Sequence, residues 1–126
     1  MQPLEGKSAI VTGAGSGFGA GIARAFAAAG ARVMIADINA AAAEVVASDL
    51  DGLAHRVDVA DAGSVAAMRA AALAGWGAVD ILVNNAGITH LPMALEDVPE
   101  AEFDRVFAVN AKSVYLTART FVPDMK

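Results

Sequence analysis

The first residues that could do chemistry are glycines. Five of them lie within the sixteen residues 11–26, V-T-G-A-G-S-G-F-G-A-G-I-A-R-A-F. Glycine loses more conformational entropy on folding than any other residue, so this run is costly unless the backbone must approach something closely. The run lies between a predicted buried strand and a predicted amphipathic helix, where backbone N–H groups can approach an anion at the helix N-terminus. A flexible linker is not expected at such a position.

The spacing of the glycines narrows the kind of anion site. A phosphate-transfer loop would need a Lys after the glycines, and none follows. The strict G-x-G-x-x-G pattern is also absent, because Phe18 and Ala20 occupy the sixth positions. The pattern present is T-G-x-x-x-G-x-G, formed by Thr12, Gly13, Gly17 and Gly19. Gly15 and Gly21 fall outside it, and we interpret them as incidental or as helping the helix to pack on its strand.

Asp37 ends the second apolar run, about 20 residues after the glycine turn. An acid there can accept hydrogen bonds from both ribose hydroxyls of an adenosine. A 2′-phosphate would face a like charge, at a cost of roughly 1 kcal/mol at ~4 Å in water and ~4 kcal/mol at intermediate dielectric. No basic residue follows in 38–40, and Ser16 fills a slot where Arg or Lys could receive such a phosphate. These residues favour NAD over NADP, unless Asp37 merely caps the next helix.

Two further polar segments follow apolar runs. Asp58 and Val59 end the third run, where an acceptor can reach an adenine amino group. The fourth run is closed by Asn-Asn-Ala-Gly at 84–87, two amides followed by small residues. This composition suits a backbone held close to a flat ligand. Each segment taken alone is also typical of an ordinary turn.

Hydrophobic periodicity predicts strands that alternate with helices. The predicted strands are 8–11, 32–36, 53–59 and 79–83. The predicted helices start near Phe18 with Gly30 as C-cap, at 40–50 after the N-cap Asn39, after the N-cap Asp61 up to Trp76 and Gly77, and at 100–122 with Pro123 as the end. This alternation implies right-handed crossovers and a parallel sheet, so we expect a doubly wound α/β fold.

The four polar segments follow four successive strands. With the usual strand order 3-2-1-4, the sheet reverses direction between its first and fourth strands, and ligands bind there at the carboxyl ends. The glycine turn, Asp37, Asp58 and the Asn-Asn-Ala-Gly segment all lie at carboxyl ends. Four unrelated turns are not expected to coincide in this way, so the sequence predicts one dinucleotide site.

Composition limits the other classes of function. A length of 126 residues suffices for one domain, and 56% hydrophobic residues indicate a globular core. The net charge of −5, without a block of like charges, argues against nucleic acid and against a membrane surface as partners. The chain has no cysteine, so we expect a cytoplasmic protein and assign no residue to a metal site.

Taken together in this order, the motifs and the later Asn110 resemble those of the classical short-chain dehydrogenases/reductases. The resemblance runs from about Gly6 to the last residue. It implies a Rossmann-type fold and hydride transfer between a nicotinamide cofactor and an alcohol or carbonyl carbon. It also implies a homodimer or homotetramer with the long helix at an interface.

The resemblance implies roles for individual residues. The glycine turn would hold the pyrophosphate, Asp37 the adenosine ribose, and Asp58 with Val59 the adenine. Asn85 would lie against the cofactor, and Asn110 would belong to the catalytic tetrad, where it supports a water in the proton relay. The expected cofactor-binding residues are Gly13, Ser16, Gly17, Phe18, Gly19, Asp37, Ile38, Asp58, Val59, Asn85, Ala86 and Gly87.

The family's catalytic Ser and Tyr-x-x-x-Lys pair have no match among these 126 residues. In the family they follow a fifth strand, and the sequence ends at Lys126, before that strand would begin. We therefore expect 1–126 to be one dinucleotide-binding domain that is inactive alone. Tyr115 is not a substitute, because Arg119 stands where Lys is needed and Arg keeps its proton. We expect Tyr115 to be a packing or interface residue.

Three functions remain open from the sequence. The first is an NAD-dependent enzyme that interconverts a secondary alcohol and a ketone, with a 3-oxoacyl reductase as one version. The second is a non-catalytic NAD-binding module. The third is a methyltransferase, which also uses a glycine-rich turn and an acid but gives Asn110 no task. His90, in the loop after Gly87, is either a solvated polar residue or a substrate contact.

Overall fold

The computed structural model describes residues 2–87 and 94–126, in which four parallel strands form one sheet. The strands are β1 (Ser8–Thr12), β2 (Arg32–Asp37), β3 (Leu53–Arg56) and β4 (Ile81–Val83). The helices are α1 (Gly17–Ala28), α2 (Ala40–Leu50), α3 (Ala62–Trp76), α4 (Glu100–Phe107) and α5 (Ser113–Met125). The strand order β3-β2-β1-β4 confirms the predicted order 3-2-1-4 and the Rossmann-type α/β fold. Among these described residues, no helix is long and apolar enough to cross a membrane.

β1 lies at the centre of the sheet, and all five of its residues are buried. Side chains alternate across a strand, so Ile10 and Val11 point to opposite faces. Ile10 packs in a cluster with Met68 of α3 and Phe121 of α5, whereas Val11 packs in a second cluster with Ala23 of α1. Helices therefore cover both faces, which explains why the strands are continuous apolar runs.

Short polar residues begin two of the helices, as predicted. The side chains of Asn39 and Asp61 each accept a hydrogen bond from the backbone N–H three residues later, at 3.0 and 2.8 Å. The end of α1 differs slightly from the prediction. Its C-cap is Ala29, and Gly30 follows with a φ of 100° that favours glycine.

Two strands are shorter than predicted. β4 lacks its first two expected residues because the Ser8 N–H donates to the Asp80 carboxylate, 2.9 Å away, instead of to a backbone carbonyl. β3 lacks its last three expected residues because its neighbour β2 ends at Asp37. Asp58 and Val59 consequently lie in the turn after β3 rather than in the strand.

The predicted long helix from Glu100 is present without a break, but it is not α-helical throughout. A π-helical turn over Ala108–Lys112 joins α4 to α5 and contains Asn110. Pro123 does not end the helix, which continues to Met125. Proline removes one backbone donor, but its fixed φ is compatible with a helix. The Asp124 carboxylate, 2.6 Å from Arg69 Nε of α3, also holds the last turn in place.

Candidate functional site

The turns after the four strands meet at one edge of the sheet, called here the carboxyl edge (13–16, 37–39, 58–60 and 84–87). The first turn leads into α1, whose N-cap Ser16 is exposed and makes no side-chain cap hydrogen bond with any described residue. The first turn of α1 carries no acidic residue. Gly17 has a φ of 60°, and no described atom lies within 4 Å of where its Cβ would be. This helix N-terminus therefore offers backbone N–H groups to an anion.

The glycine turn packs directly on the loop after β4. A Cβ on Gly13 would lie 2.8 Å from Ala86 Cα, and the φ of Gly13 is 65°. A Cβ on Gly19 would overlap the Gly13 carbonyl oxygen and lie 2.5 Å from Asn85 Nδ2. The Asn85 side chain donates to the Gly13 carbonyl at 3.2 Å. Gly13 and Gly19 are therefore required by close approach of the two loops.

Thr12 joins the same two loops by hydrogen bonds. Its hydroxyl accepts from the backbone N–H groups of Asn85 and Ala86, both at 3.1 Å, and donates to the Val83 carbonyl at 3.3 Å. The Thr12 side chain is buried, at 1% exposure. Sequence reasoning placed Thr12 in the motif without giving it this function. A Thr that ends a buried strand beside a polar loop is the signal that could have indicated it.

Asp37 shapes the second turn with both of its carboxylate oxygens. Oδ2 accepts from the Gly15 N–H and Oδ1 from the Asn39 N–H, each at 2.9 Å. The cap of α2 is Asn39, so the alternative that Asp37 merely caps this helix is wrong. The interpretation of Gly15 as incidental is also wrong, because a Cβ there would lie 2.9 Å from Asp37 Oδ2. Gly21 has no described atom near its Cβ position and remains incidental.

Asp58 holds the third turn in the same manner. Its Oδ1 accepts from the Ala60 N–H at 3.0 Å, and its own N–H donates to Ser64 Oγ of α3 at 2.9 Å. Val59 is buried and packs with Val57 in the cluster on the α3–α5 face of the sheet. Asp58 therefore lies between two residues, Val57 and Val59, whose apolar side chains are buried.

The fourth turn contacts α5 and the π-helical turn that precedes α5. Asn84 Oδ1 accepts a hydrogen bond from the Thr117 hydroxyl of α5 at 2.8 Å. Gly87 lies beside Asn110, since a Cβ on Gly87 would be 3.3 Å from Asn110 Oδ1. Asn110 is exposed and lies within the π-helical turn, a distortion often found at functional sites. His90 lies outside the described residues.

A cavity of about 500 Å³ opens along the carboxyl edge. Its lining includes most of the expected cofactor-binding residues: Gly13, Ser16, Asp37, Ile38, Asp58, Val59, Asn85, Ala86 and Gly87. The expected residues Gly17, Phe18 and Gly19 are not among its lining. Phe18 is 89% exposed and borders a separate apolar hollow on the outer side of α1. Sequence reasoning missed three lining residues, which are Val57, Arg105 and Val109.

The charges around this cavity are mixed. Asp37 and Asp58 supply two carboxylates, and Arg105 is the one basic residue among the described residues that line it. Arg105 donates through Nε and Nη2 to the two carboxylate oxygens of Glu102, at 3.2 and 2.5 Å. This hydrogen-bonded pairing raises the pKa of the Arg105 guanidinium above its ordinary value. Arg105 therefore stays charged at any working pH.

Three features together define a dinucleotide-binding α/β domain. They are the closely packed glycine turn after β1, the acid that ends β2 and the amide-rich loop after β4. The family model described as short chain dehydrogenase matches residues 7–126, and the chain belongs to that family. The fold and the family are thus as the motifs predicted.

Individual relatives give the same result. The chain is 47% identical to D-threitol dehydrogenase of Mycolicibacterium smegmatis over 90% of its own length and 45% of that protein. It is 50% identical to a crystal structure of 3-ketoacyl-(acyl-carrier-protein) reductase from Brucella melitensis complexed with NADH, with a TM-score of 0.94 over 96% of this chain and 51% of that one. A metagenomic short-chain oxidoreductase in complex with NADP is 37% identical, with a TM-score of 0.89 over 97% and 57%. The chain spans about half the length of the curated relatives it matches.

Proposed function

We propose that the intact protein is an NAD(H)-dependent oxidoreductase that interconverts a secondary alcohol and a ketone by hydride transfer. The observation that carries this proposal is the cavity of about 500 Å³ at the carboxyl edge, where the turns after all four strands meet. The nicotinamide ring supplies or accepts the hydride when the cofactor is bound. The residues of this chain bind and orient the cofactor.

The residues at the carboxyl edge fit a dinucleotide. The uncapped N-terminus of α1 beside Gly17 suits the negative charge of a pyrophosphate. Gly13, which packs on Ala86, lines the cavity with backbone alone. Asp37 would accept from the ribose hydroxyls, because each of its oxygens uses one backbone N–H and keeps further acceptor capacity. Asp58 and Val59 would receive the adenine.

The same acid supports a preference for NAD over NADP. The two backbone N–H groups that donate to Asp37 fix the position of its carboxylate. A 2′-phosphate bound there would face this carboxylate at a cost of roughly 1–4 kcal/mol. The side chains that follow, 38–40, are uncharged. The relatives crystallised with NADH and with NADP leave both cofactors open for the family.

Asn110 would serve as the tetrad residue; it does not itself line the cavity, but its neighbours Val109 and Gly87 do. Its side chain lies next to Gly87, at the end of the loop that also packs on the glycine turn. The π-helical turn adds a residue to the helix at this position and disturbs the regular backbone hydrogen bonding. A water could therefore be held there in a proton relay that the Ser and Tyr-x-x-x-Lys of the intact protein would complete.

A reductase of 3-oxoacyl groups is one version of the proposed activity. It is supported by the 50% identity to the 3-ketoacyl-(acyl-carrier-protein) reductase of Brucella melitensis. The relative named D-threitol dehydrogenase, at 47% identity, supports a polyol as another substrate. A panel of short 3-oxoacyl thioesters and secondary alcohols, assayed with the intact protein, would distinguish these substrate classes.

A non-catalytic NAD-binding module is the second candidate. It is favoured by the surroundings of Tyr115, the single tyrosine of the sequence. Tyr115 is 59% exposed on α5, and its hydroxyl accepts a hydrogen bond from Arg119 at 3.3 Å, away from the carboxyl edge. If the intact protein binds NADH but turns over none of the alcohol and 3-oxoacyl panel, the module is the better description.

The experiment that tests cofactor binding is a fluorescence titration of the intact protein with NADH and NADPH. We expect tighter binding of NADH by about tenfold or more, from the charge repulsion at Asp37. Asp37→Asn should reduce this preference, because it removes the charge while keeping the shape. Asp51→Asn, at the exposed C-cap of α2, is the matched control and should leave both affinities unchanged. Equal affinity for the two cofactors in the wild type would contradict the role of Asp37.

The intact protein assembles as a homodimer or homotetramer in the cytoplasm, without a nucleic-acid or membrane partner. The support for assembly is the α4–α5 surface, defined by the exposed apolar side chains Phe103, Phe107, Val114, Tyr115, Val122 and Met125. Phe103 and Phe107 stack with ring centroids 6.2 Å apart and 15° between planes. A surface of this kind is typical of an interface between protein chains.

A further inference from the structure

Arg105 is the one charged residue, among the described residues that line the cavity, that neither the motifs nor the proposed roles account for. It projects from α4, and 52% of its side chain is exposed. The other charged residues that line the cavity, Asp37 and Asp58, are acidic, and the rest of its described lining is uncharged. A planar cation beside apolar side chains is suited to contact the face of an aromatic ligand.

Glu102 fixes the orientation of this cation. The two carboxylate oxygens of Glu102 accept from Nε and Nη2 of Arg105, which is a bidentate, fork-like geometry. Such a pair holds the guanidinium plane in one orientation. It also leaves the remaining donors and the faces of the plane for a ligand, because a guanidinium carries five N–H groups.

Val109 identifies the part of the cavity that Arg105 borders. Val109 lies four residues after Arg105, which brings the two side chains to the same side of the helix, and both line the cavity. Val109 packs against the cluster that contains Val57 and Val59, on the α3–α5 face of the sheet. The α1 helix, whose N-terminus suits the pyrophosphate, packs on the opposite face. Arg105 therefore lies on the α3–α5 side of the cavity, to which Val57 and Val59 also belong.

We propose that Arg105 is an adenine-binding residue, whose guanidinium stacks on the outer face of the base while Val59 and Val109 contact it from the protein side. This inference rests on the proposed function, since it assigns one end of the same dinucleotide site. The chemical class that would be recognised is an adenine nucleotide. Arginine suits such a contact better than lysine does, because its plane is weakly hydrated and stacks on aromatic rings.

The test uses two substitutions in the intact protein, Arg105→Leu and Arg105→Lys, with NADH titrated by fluorescence. We expect both to weaken NADH binding by about three- to ten-fold, because a lysine keeps the charge but lacks the plane. The matched control is Arg24→Leu, which removes an exposed arginine paired with Asp49 on the other face of the sheet. It should change the affinity by less than about two-fold.

A second ligand locates the contact. Reduced nicotinamide mononucleotide carries the ring and a phosphate but no adenosine, so its affinity should be the same for wild type and Arg105→Leu. If its affinity falls as much as that of NADH, Arg105 binds the other half of the cofactor and the inference is wrong. If Arg105→Lys binds NADH like the wild type, charge alone is sufficient and the stacking contact is also wrong.

The result separates this inference from the proposed function. A wild-type protein that binds NADH tightly, together with an Arg105→Leu variant that binds it equally well, overturns the role of Arg105 and leaves the function intact. A wild-type protein that does not bind NADH at any accessible concentration overturns both. Thermal unfolding of each variant shows whether an affinity change reflects lost structure, which is not expected at an exposed side chain.

Discussion

The carboxyl edge and the α4–α5 surface contrast in how their side chains find partners. At the carboxyl edge, the Thr12 hydroxyl and the Asp37 carboxylate bond to backbone groups of a neighbouring turn, and the Asp58 carboxylate bonds to a backbone N–H of its own turn. On the helix pair, no residue of the fully described α4 is buried, and Phe103 and Phe107 are 58% and 57% exposed. The first region is held by contacts within this chain, whereas the second presents apolar surface to its surroundings.

This contrast separates two kinds of stability. A site whose turns bond to one another keeps its geometry without a ligand, which reduces the ordering cost of binding. An apolar surface gains free energy only when another surface covers it. Substitutions at the carboxyl edge should therefore act on folding and cofactor affinity together. Substitutions on the α4–α5 surface should act on assembly and leave cofactor affinity unchanged.

The largest effect is expected at Gly13. Gly13→Ala places a Cβ 2.8 Å from Ala86 Cα at a φ of 65° that Ala rarely adopts. We expect the free energy of unfolding to fall by about 3 kcal/mol and NADH binding to be lost, measured by urea denaturation and by fluorescence titration. If Gly13→Ala is as stable as the wild type, the close packing of the two loops is wrong.

A matched control for Gly13 lies on the same glycine-rich segment. Gly21 has a helical environment and no described atom within 4 Å of its Cβ position. Gly21→Ala should raise the free energy of unfolding by roughly 0.5–1 kcal/mol, because alanine loses less entropy in a helix. If the free energy of unfolding falls for Gly13→Ala and rises for Gly21→Ala, the close approach at Gly13 is responsible. A fall at both glycines would instead mean that the whole segment is intolerant of substitution.

Thr12 should give the next largest effect. Thr12→Val keeps the shape of the side chain but leaves the N–H groups of Asn85 and Ala86 without their acceptor. Buried unpaired donors are costly, so we expect a loss of about 2 kcal/mol of unfolding free energy. NADH affinity should also decrease, because the loop after β4 lines the cavity. Urea denaturation and NADH titration measure the two effects.

The control for Thr12 is Thr120→Val in α5. The Thr120 hydroxyl donates to the Leu116 carbonyl within its own helix at 2.8 Å, and its removal leaves no donor unpaired. A change of less than about 0.5 kcal/mol is expected. Thr12→Ser should restore most of the lost stability by restoring the acceptor. If Thr12→Val behaves like the control, the hydroxyl does not hold the two loops together.

Much of the carboxyl edge was predictable because its local structure can be formed only by particular residue types, which are visible in the sequence. Close approach requires glycine at Gly13 and Gly19, and free backbone N–H groups at helix starts select side chains such as Asn39 and Asp61. The strand order followed from the alternation of strands and helices. Gly15 was misread because the atom that excludes its Cβ, Asp37 Oδ2, is 22 residues away in sequence.

The rest depends on tertiary placement that no local pattern records. Arg105 and Val109 line the cavity because tertiary packing brings α4 and the π-helical turn beside the carboxyl edge, where Asn110 meets Gly87 and Val109 packs against the α3–α5 cluster. The π-helical turn itself has no distinguishing residue type, since Ala108–Lys112 contains neither glycine nor proline. The helix passes Pro123 because Arg69, on another helix, holds the residue that follows it.

The α4–α5 surface should respond in the opposite way to the carboxyl edge. In the intact protein, the double substitution of Phe103→Ser and Phe107→Ser removes two stacked exposed rings. We expect subunit affinity to fall by about tenfold or more, measured by analytical ultracentrifugation. NADH affinity should change by less than about two-fold. Val45→Ser, at an equally exposed apolar residue of α2, is the matched control and should leave assembly unchanged.

The smallest effect is expected for the ion pair between Arg69 of α3 and Asp124 of α5. The hydrogen bond from Arg69 lowers the pKa of the Asp124 carboxyl below 3.8, so the folded state binds a proton less readily than the unfolded chain. The pair therefore contributes stability that is fully present above the unfolded pKa of about 4 and is lost as pH falls through the folded pKa. Both side chains are partly exposed, so the contribution is small and decreases with salt.

Asp124→Asn should accordingly lower the thermal midpoint slightly at pH 7, and the difference from the wild type should shrink as pH falls below the unfolded pKa of about 4. Asp104→Asn, which removes an exposed acid on α4, is the control and should show no such pH-dependent difference. A difference for Asp124→Asn that does not shrink as pH falls below about 4 would mean that packing of the last turn, rather than the ion pair, holds α5 beyond Pro123. NADH affinity should remain that of the wild type, because neither Arg69 nor Asp124 lines the cavity.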